Sequence, residues 1–422
     1  MLKRSAKIRT RRVEALALDY MRDDPVLLLE GPRSVGKSTL LGEIAKAIDA
    51  ALVDLDSPEV RSVVESDPAS YVPPGQKVCV DEYQKAPVIL DAIKSELNRK
   101  TIPGQYVLTG SARYDSLPPA AQALTGRLTT LPVYPLSQGE IDNHEERFVE
   151  QLFDDPRALI DGYPSSTTDR NGYAERIVAG GMPLAFTRPA GTSRNRWFDN
   201  YVRLTLQRDV RELSSVHQND QLERLLLRLA GQTAQILNLQ SAASDSDLAR
   251  PTAERYLNLL EAVFLVFRLP AWGKTLRARV SKKPKLHVLD SGVAARLLKL
   301  TPEKLNRKDP TSMAHFGHLL ETFAVGELLK QASWIPDVAA TGHWRTRDQD
   351  EVDLVIEHDD GTVLGFEIKA ARRVTAGDTR GLLKLRGALD RPFVGVVLYT
   401  GEKAYELDDN LYAIPVDALW SS

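Results

Sequence analysis

The run VLLLEGPRSVGKSTLL, Val26 to Leu41, decides the fold of everything around it. VLLLE is short, apolar and uncharged until Glu30, which suits a strand buried on both faces. Gly31, Gly36, Lys37 and Ser38 fit the pattern G-x-x-x-x-G-K-[ST], and TLLGEIAKAI beyond them has helical spacing. Strand, glycine loop, helix is the context in which such a loop wraps phosphates. The nucleotide-binding residues read from it are Gly31, Pro32, Arg33, Ser34, Val35, Gly36, Lys37, Ser38 and Thr39. The glycines let backbone N–H groups turn inward, Lys37 reaches the β- and γ-phosphates, and the Ser38 hydroxyl ligates Mg²⁺. The helix N-terminus adds partial positive charge.

Working outward, VEALALDYM (13–21) predicts a helix before the loop, and ALVDLD (51–56), KVCVDE (77–82) and IPGQYVLTGSA (102–112) predict further strands. Strands alternating with helical patterns indicate a doubly wound parallel sheet. In VCVDEYQ, Asp81 ends an apolar strand, where a carboxylate is placed to hold Mg²⁺, and Glu82 is placed to deprotonate the attacking water. Thr109 and Ser111, in VLTGSA at the end of another strand, are candidates for touching the γ-phosphate or that water. Arg127, in LTGRL, is a candidate arginine finger, in cis or in trans.

The whole chain has 422 residues, enough for two to four domains. With 43% hydrophobic and 27% charged residues it has a globular composition. A net charge of −2 means that any basic surface for nucleic acid is local. The single cysteine, Cys79, cannot form an internal disulfide. No apolar run approaches the ~20 residues that span a bilayer, and the segment after the basic N-terminus is charged rather than a signal core. The expected setting is cytoplasmic, with no membrane partner.

GPRSVGKSTLL, VDEYQKAP, VLTGSARY, LTGRL and LPVYPLSQGE, in this order, resemble a family of prokaryotic AAA+-type P-loop ATPases with a C-terminal domain of unknown function. GGMPLAF (180–186), LQRDV (206–210), RPTAERYLNLLEAVFLVFRLPAW (250–272) and KPKLHVLDSGVAARLL (283–298) extend the likeness over nearly the whole chain. The resemblance implies ATP and Mg²⁺ as cofactors.

Residues 141–175 are acidic and contain Pro, Gly and Ser, which reads as a boundary or exposed insertion. Helical patterns fill 197–237. SDSDLARPTAERYLNLLE has the look of a helix-turn-helix, turning at Asp247–Ala249 and reopening at Arg250–Pro251. The segment after it carries Lys274, Arg277, Arg279, Lys282, Lys283 and Lys285, a basic arm suited to phosphates if it forms a wing.

In the last part, Glu321 lies on a predicted helix, Asp353 starts an apolar strand, and Glu367 and Lys369 share one face of the next. Helix acid, strand acid and E-x-K resemble the PD-(D/E)xK nuclease superfamily. That resemblance implies Glu321, Asp353 and Glu367 as ligands for Mg²⁺ or Mn²⁺, with Glu367 and Lys369 catalytic. His343, Arg345 and Arg347 stand nearby as phosphate contacts or surface charges.

The expected class is α/β: a P-loop AAA+-like parallel sheet (1–145), a helical region (146–235), a winged-helix-like domain (236–305) and a restriction-endonuclease-like α/β domain (306–422). The expected function is a Mg²⁺-dependent ATPase coupled to a region that binds or cuts DNA or RNA. Two alternatives stay open: an ATP-regulated scaffold with an inert nuclease-like domain, and a ring-forming oligomeric ATPase acting on protein partners.

Overall fold

The computed structural model describes residues 9–113, 124, 126–213, 219–273 and 283–422. Contacts divide the chain into two units rather than four domains. The first comprises Met1–Leu136 with Gln207–Val216 and Ala262–Phe264; the second holds Ser137–Leu206, His217–Glu261 and Leu265–Ser422.

The first unit runs α1 (Val13–Tyr20), β1 (Val26–Glu30), α2 (Lys37–Ile48), β2 (Ala51–Asp54), α3 (Pro58–Ser66), β3 (Val78–Asp81), α4 (Val88–Arg99), β4 (Tyr106–Gly110) and β5 (Leu128–Pro132). The strands form one parallel sheet in the order β2-β3-β4-β1-β5. Val26, Leu28, Val80 and Leu108 pack with Ile89, Ile93 and Leu97 of α4, so the central strands are buried as their uninterrupted apolar runs require. Leu29 pairs with Thr109 and Glu30 with Gly110, so the glycine loop leaves β1 beside the end of β4. Asp81 ends β3, which lies on the other side of β4. Parallel strands therefore bring loop, acids and hydroxyls to one carboxyl edge.

The same register corrects the reading of Arg127. Val26, the first residue of β1, pairs with Leu128, so Arg127 lies at the opposite edge of the sheet, ~16 Å away by strand rise. It donates to Asn98 Oδ1 at 2.6 Å and does not reach the phosphate loop of its own chain.

In the second unit, the stretch expected as an exposed insertion is helical: Gln138–Asp142, Phe148–Asp154, Pro156–Gly162 and Arg170–Ala179. Phe148, Val149, Leu152 and Tyr173 are buried. Residues 144–147 and 163–169 are irregular, as expected, but Asp155 and Asp169 within the stretch are helix starts. Ser137 and Glu140 form a capping box, and Asp155 and Asp169 cap the helices that follow them.

Next come α5 (Asn219–Ala230), β6 (Gln235–Ile236), α6 (Leu239–Ser244), α7 (Arg250–Ala262), β7 (Val266–Leu269) and β8 (Lys285–Val288). The strands form an antiparallel sheet in the order β6-β8-β7. Helices α6 and α7 flank a turn in which Asp247 has φ +53°, at the expected place. Lys274, Arg277, Arg279 and Lys282 lie outside the described residues. Lys285 does not belong to an exposed basic arm: it is in β8 and 2% exposed.

The last part is α8 (Pro310–Ala332), β9 (Val338–Arg345), β10 (Glu351–His358), β11 (Val363–Lys369), α9 (Arg380–Ala388), β12 (Phe393–Tyr399), β13 (Tyr405–Asp408) and β14 (Leu411–Pro415). A mixed sheet has the order β13-β14-β12-β11-β10-β9. Leu354 stands opposite Phe366 across antiparallel β10 and β11, which places Asp353 beside Glu367 on one face. A bridge between Ala271 and His343, with Trp272 N donating to His343 O at 2.7 Å, ties the small sheet to the large one. These contacts join what the sequence suggested as separate domains into one unit.

Candidate active site

Gly36 takes φ +100° as the residue before α2, and no side chain caps that helix, so its first N–H groups face the loop. At Gly31 a Cβ would lie 2.2 Å from Val133 O, so only glycine fits there. Arg11 pins the loop from behind, donating to Val35 O at 2.9 Å and Tyr134 O at 2.7 Å. Lys37 is buried and donates to Gly31 O (2.9 Å), Pro32 O (2.9 Å) and Ser111 Oγ (3.0 Å). Burial pulls its ammonium down to about 8, against the attraction of Glu82 and Asp81.

Ser111 Oγ donates to Glu82 Oε1 at 2.6 Å, so one hydroxyl links lysine and acid. Gln84 donates to the other oxygen of Glu82. Glu82 has φ +53°, a left-handed conformation that carries its backbone off β3, and its N–H donates to Thr109 Oγ1 at 2.9 Å. Thr109 in turn donates to Asp81. The structure thus brings Lys37, Asp81, Glu82, Thr109 and Ser111 together, with Ser34, Ser38 and Thr39 exposed around the loop. Ser38 and Asp81 offer hard oxygens, a donor set that suits Mg²⁺ held by one or two protein groups plus phosphate oxygens.

Three residues escaped the sequence reading. Gln84 sits inside the quoted VDEYQ, but nothing in its spacing marks it. Arg11 precedes the loop and lacks a motif. Asp209, in LQRDV, grips Arg33: Arg33 Nε lies 3.0 and 3.1 Å from its two oxygens, and a terminal nitrogen lies 2.9 Å from Oδ1. Asp209 closes a widened, π-type turn, Thr205–Asp209, a feature common at functional sites.

A second polar cleft, of about 600 Å³, lies in the second unit among Glu321, Asp353, Glu367, Lys369, Arg345 and Arg380. Its centre is a lysine. Lys285 Nζ lies 2.6 Å from Glu321 Oε1, 2.5 Å from Glu351 Oε1 and 2.7 Å from Asp353 Oδ1. Asp353 Oδ2 accepts from Ile368 N at 2.8 Å, and Lys369 Nζ lies 2.6 Å from Glu367 Oε1. Burial opposes the charge on Lys285, yet the three carboxylates hold it well above its usual value. Burial, then Asp353, raises Glu321 to about 8. Burial opposes ionisation of Asp353 too, but Lys285 keeps it below the ordinary range. Glu367 is raised well above by burial and Asp353.

Glu321, Asp353 and Glu367 do line one cleft. Lys285 sits among them, and among the described residues no group of three or more His, Cys, Asp or Glu side chains is arranged to hold a metal. Of the flanking candidates, Arg345 lines the cleft, whereas His343 is buried with Nε2 3.1 Å from Lys283 O.

Residues 23–142 match the family described as an AAA domain. Most of the first unit is thus the part of the chain that matches an AAA domain. Residues 170–304 match a domain of unknown function, DUF8612, and residues 316–419 another, DUF4143. Of these two regions, the one at 316–419 lies within the second unit, whereas the one at 170–304 is divided between the two units. Over 395 residues the chain is 25% identical to the uncharacterized proteins Rv2008c of Mycobacterium tuberculosis and Mb2031c of Mycobacterium bovis, covering 94% of this chain and 81% of theirs. Among solved structures it is similar to the Walker-type ATPase PABY2304 of Pyrococcus abyssi, with 16% identity, 70% of this chain and 97% of that one covered, and a TM-score of 0.39. It is also similar to the RuvB Holliday junction branch migration motor of Thermotoga maritima, with 15% identity, coverage of 68% and 92%, and a TM-score of 0.26. No helix among the described residues is long and apolar enough to cross a membrane.

Proposed function

We propose that the AAA-type domain hydrolyses ATP and that the second unit is a nuclease-like module that binds nucleic acid. The observation that carries the first part is the line Lys37–Ser111–Glu82 at the mouth of the phosphate loop. Lys37 exchanges two carbonyls for the β- and γ-phosphates, which offer a full negative charge where the carbonyls offer only dipoles. Ser38 and Asp81 would hold Mg²⁺, which supplies charge neutralisation on the phosphates. Glu82, fixed from both sides by Ser111 and Gln84, orients the attacking water and takes its proton. Thr109 steadies Asp81 and the Glu82 backbone. Arg33, held by Asp209, keeps a second cation at the loop.

Glu82→Gln tests this directly. It should bind ATP as the wild type does and lose turnover by about 10²-fold or more, the usual worth of a positioned base. Unchanged turnover would remove Glu82 from the mechanism.

The reading of the second unit is supported by its element order, helix, three strands, helix, strand, with Glu321 on the helix, Asp353 on the second strand, and Glu367 and Lys369 on the third. The small antiparallel sheet with α5, α6 and α7 has the order of a winged helix. Arg345, Lys369 and Arg380 line the cleft, each paired with a carboxylate there (Glu351, Glu367 and Asp350), and phosphodiesters would compete for these cations. Fluorescence anisotropy with labelled DNA and RNA, titrated with salt, tests it. Arg345→Ala with Arg380→Ala should weaken binding and flatten its salt dependence; binding to neither polymer would leave the scaffold reading.

A further inference from the structure

We infer that Lys285 is a built-in cation that fills the place of a divalent metal in the cleft of the second unit, so that the folded chain keeps this centre closed to metal. The inference rests on the nuclease-like reading of that unit and is independent of ATP hydrolysis. An ammonium has three N–H donors, and Lys285 finds three carboxylate partners, from α8 and β10, within 2.5 to 2.7 Å. The side chain is only 2% exposed.

The lysine is held there by its backbone. In β8 it pairs with Ile236 on one side and Leu269 on the other, and Leu237 N donates to Pro284 O at 2.9 Å just before it. It cannot swing away as a surface lysine would. A second cation bound to the same oxygens at ~2.1 Å would sit within a few ångströms of Nζ, where like charges repel strongly in a buried site.

Glu367 shows that the cleft is built for more oxygen ligation than Lys285 uses. It is 8% exposed, lines the same cleft, and its Oε2 is buried without a hydrogen-bond partner. Asp353 beside it is shared between Lys285 and Ile368 N. Carboxyl oxygens of Glu321, Asp353 and Glu367 thus line one cleft, and the chain's own ammonium, rather than a metal, is what gathers those of Glu321 and Asp353. Metal-dependent cleavage by this unit requires Lys285 to be withdrawn.

Mn²⁺ binding to the nucleotide-free full chain, followed by electron paramagnetic resonance, tests the inference without relying on cleavage or ATP turnover. Wild type should show no Mn²⁺ uptake that Asp353→Asn abolishes. Lys285→Met should gain saturable uptake, and Lys285→Met with Asp353→Asn should lose it. Uptake by wild type that depends on Asp353 would overturn the inference, as would a folded Lys285→Met with no gain. Should Lys285→Met not fold, Lys285→Met with Glu321→Gln removes one carboxylate together with the ammonium and should show a weaker gain that Asp353→Asn still abolishes. If neither folds, the wild-type comparison alone decides.

Discussion

Raising the pH from 7 to 9 should weaken ATP binding through Lys37 alone. In the free protein, burial lowers this ammonium to about 8. The charged groups around it are Asp81 and Glu82, which favour its charge, and Arg33 with its partner Asp209, which act in opposite senses. Triphosphate in the loop adds negative charge and raises the bound-state value above 8. Below pH 8 the lysine is already charged before ATP arrives. Above it, binding must recruit a proton, so affinity is lost as pH rises through 8. Between pH 7 and 9 the charged fraction falls from roughly 0.9 to roughly 0.1, which is about a tenfold loss, or about 1.4 kcal/mol. Burial pushes Cys79 and Tyr106 up to about 12, so neither titrates in this window. The assay is calorimetric or fluorescent-nucleotide titration at each pH, with Lys37→Arg as control, because a guanidinium stays charged throughout. A flat wild-type profile would refute the reasoning, and an equal fall in Lys37→Arg would assign the titration to another group.

Three further outcomes follow from other parts of the molecule. Gly31→Ala should cost about 1–3 kcal/mol in urea unfolding and impair nucleotide binding, because the added Cβ meets Val133 O at 2.2 Å. Asp209→Ala should cost about 1–3 kcal/mol by leaving Arg33 without its carboxylate; a double-mutant cycle with Arg33→Ala measures the coupling, and a value near zero would show that the pair is incidental. Glu146 is 1% exposed, and burial raises its carboxyl to about 7. The folded state favours the proton that the unfolded chain releases, so stability should fall between pH 4.5 and about 7 by about 3 kcal/mol, and Glu146→Gln should remove that slope in thermal melts.

The AAA-type domain was legible because its signals are local. Loop, preceding strand and following helix are contiguous, and Asp81 and Thr109 end apolar runs that can only be buried strands. β5 was missed, since LTTLP is short and only Leu131 of it is fully buried. Arg127 looked like a finger because sequence does not say which edge of the sheet a loop occupies; the register does. Within 141–175, two of the acids that suggested a loop, Asp155 and Asp169, cap helices, while 144–147 and 163–169 are irregular as their composition indicates. Long-range pairs left no trace: Asp209 reaches Arg33 across 176 residues, and Lys285 reaches Asp353 across 68. In the sequence Lys285 was one member of a basic run. Its role follows from the short strand KLHV, all four of whose residues are buried.

The most direct test of the account is steady-state ATP turnover with Mg²⁺, wild type beside Lys37→Ala. The account predicts turnover by wild type and a loss of about 10²-fold or more in the variant, because a preorganised cation on the transferred phosphoryl group is removed. Equal turnover by both proteins would contradict it.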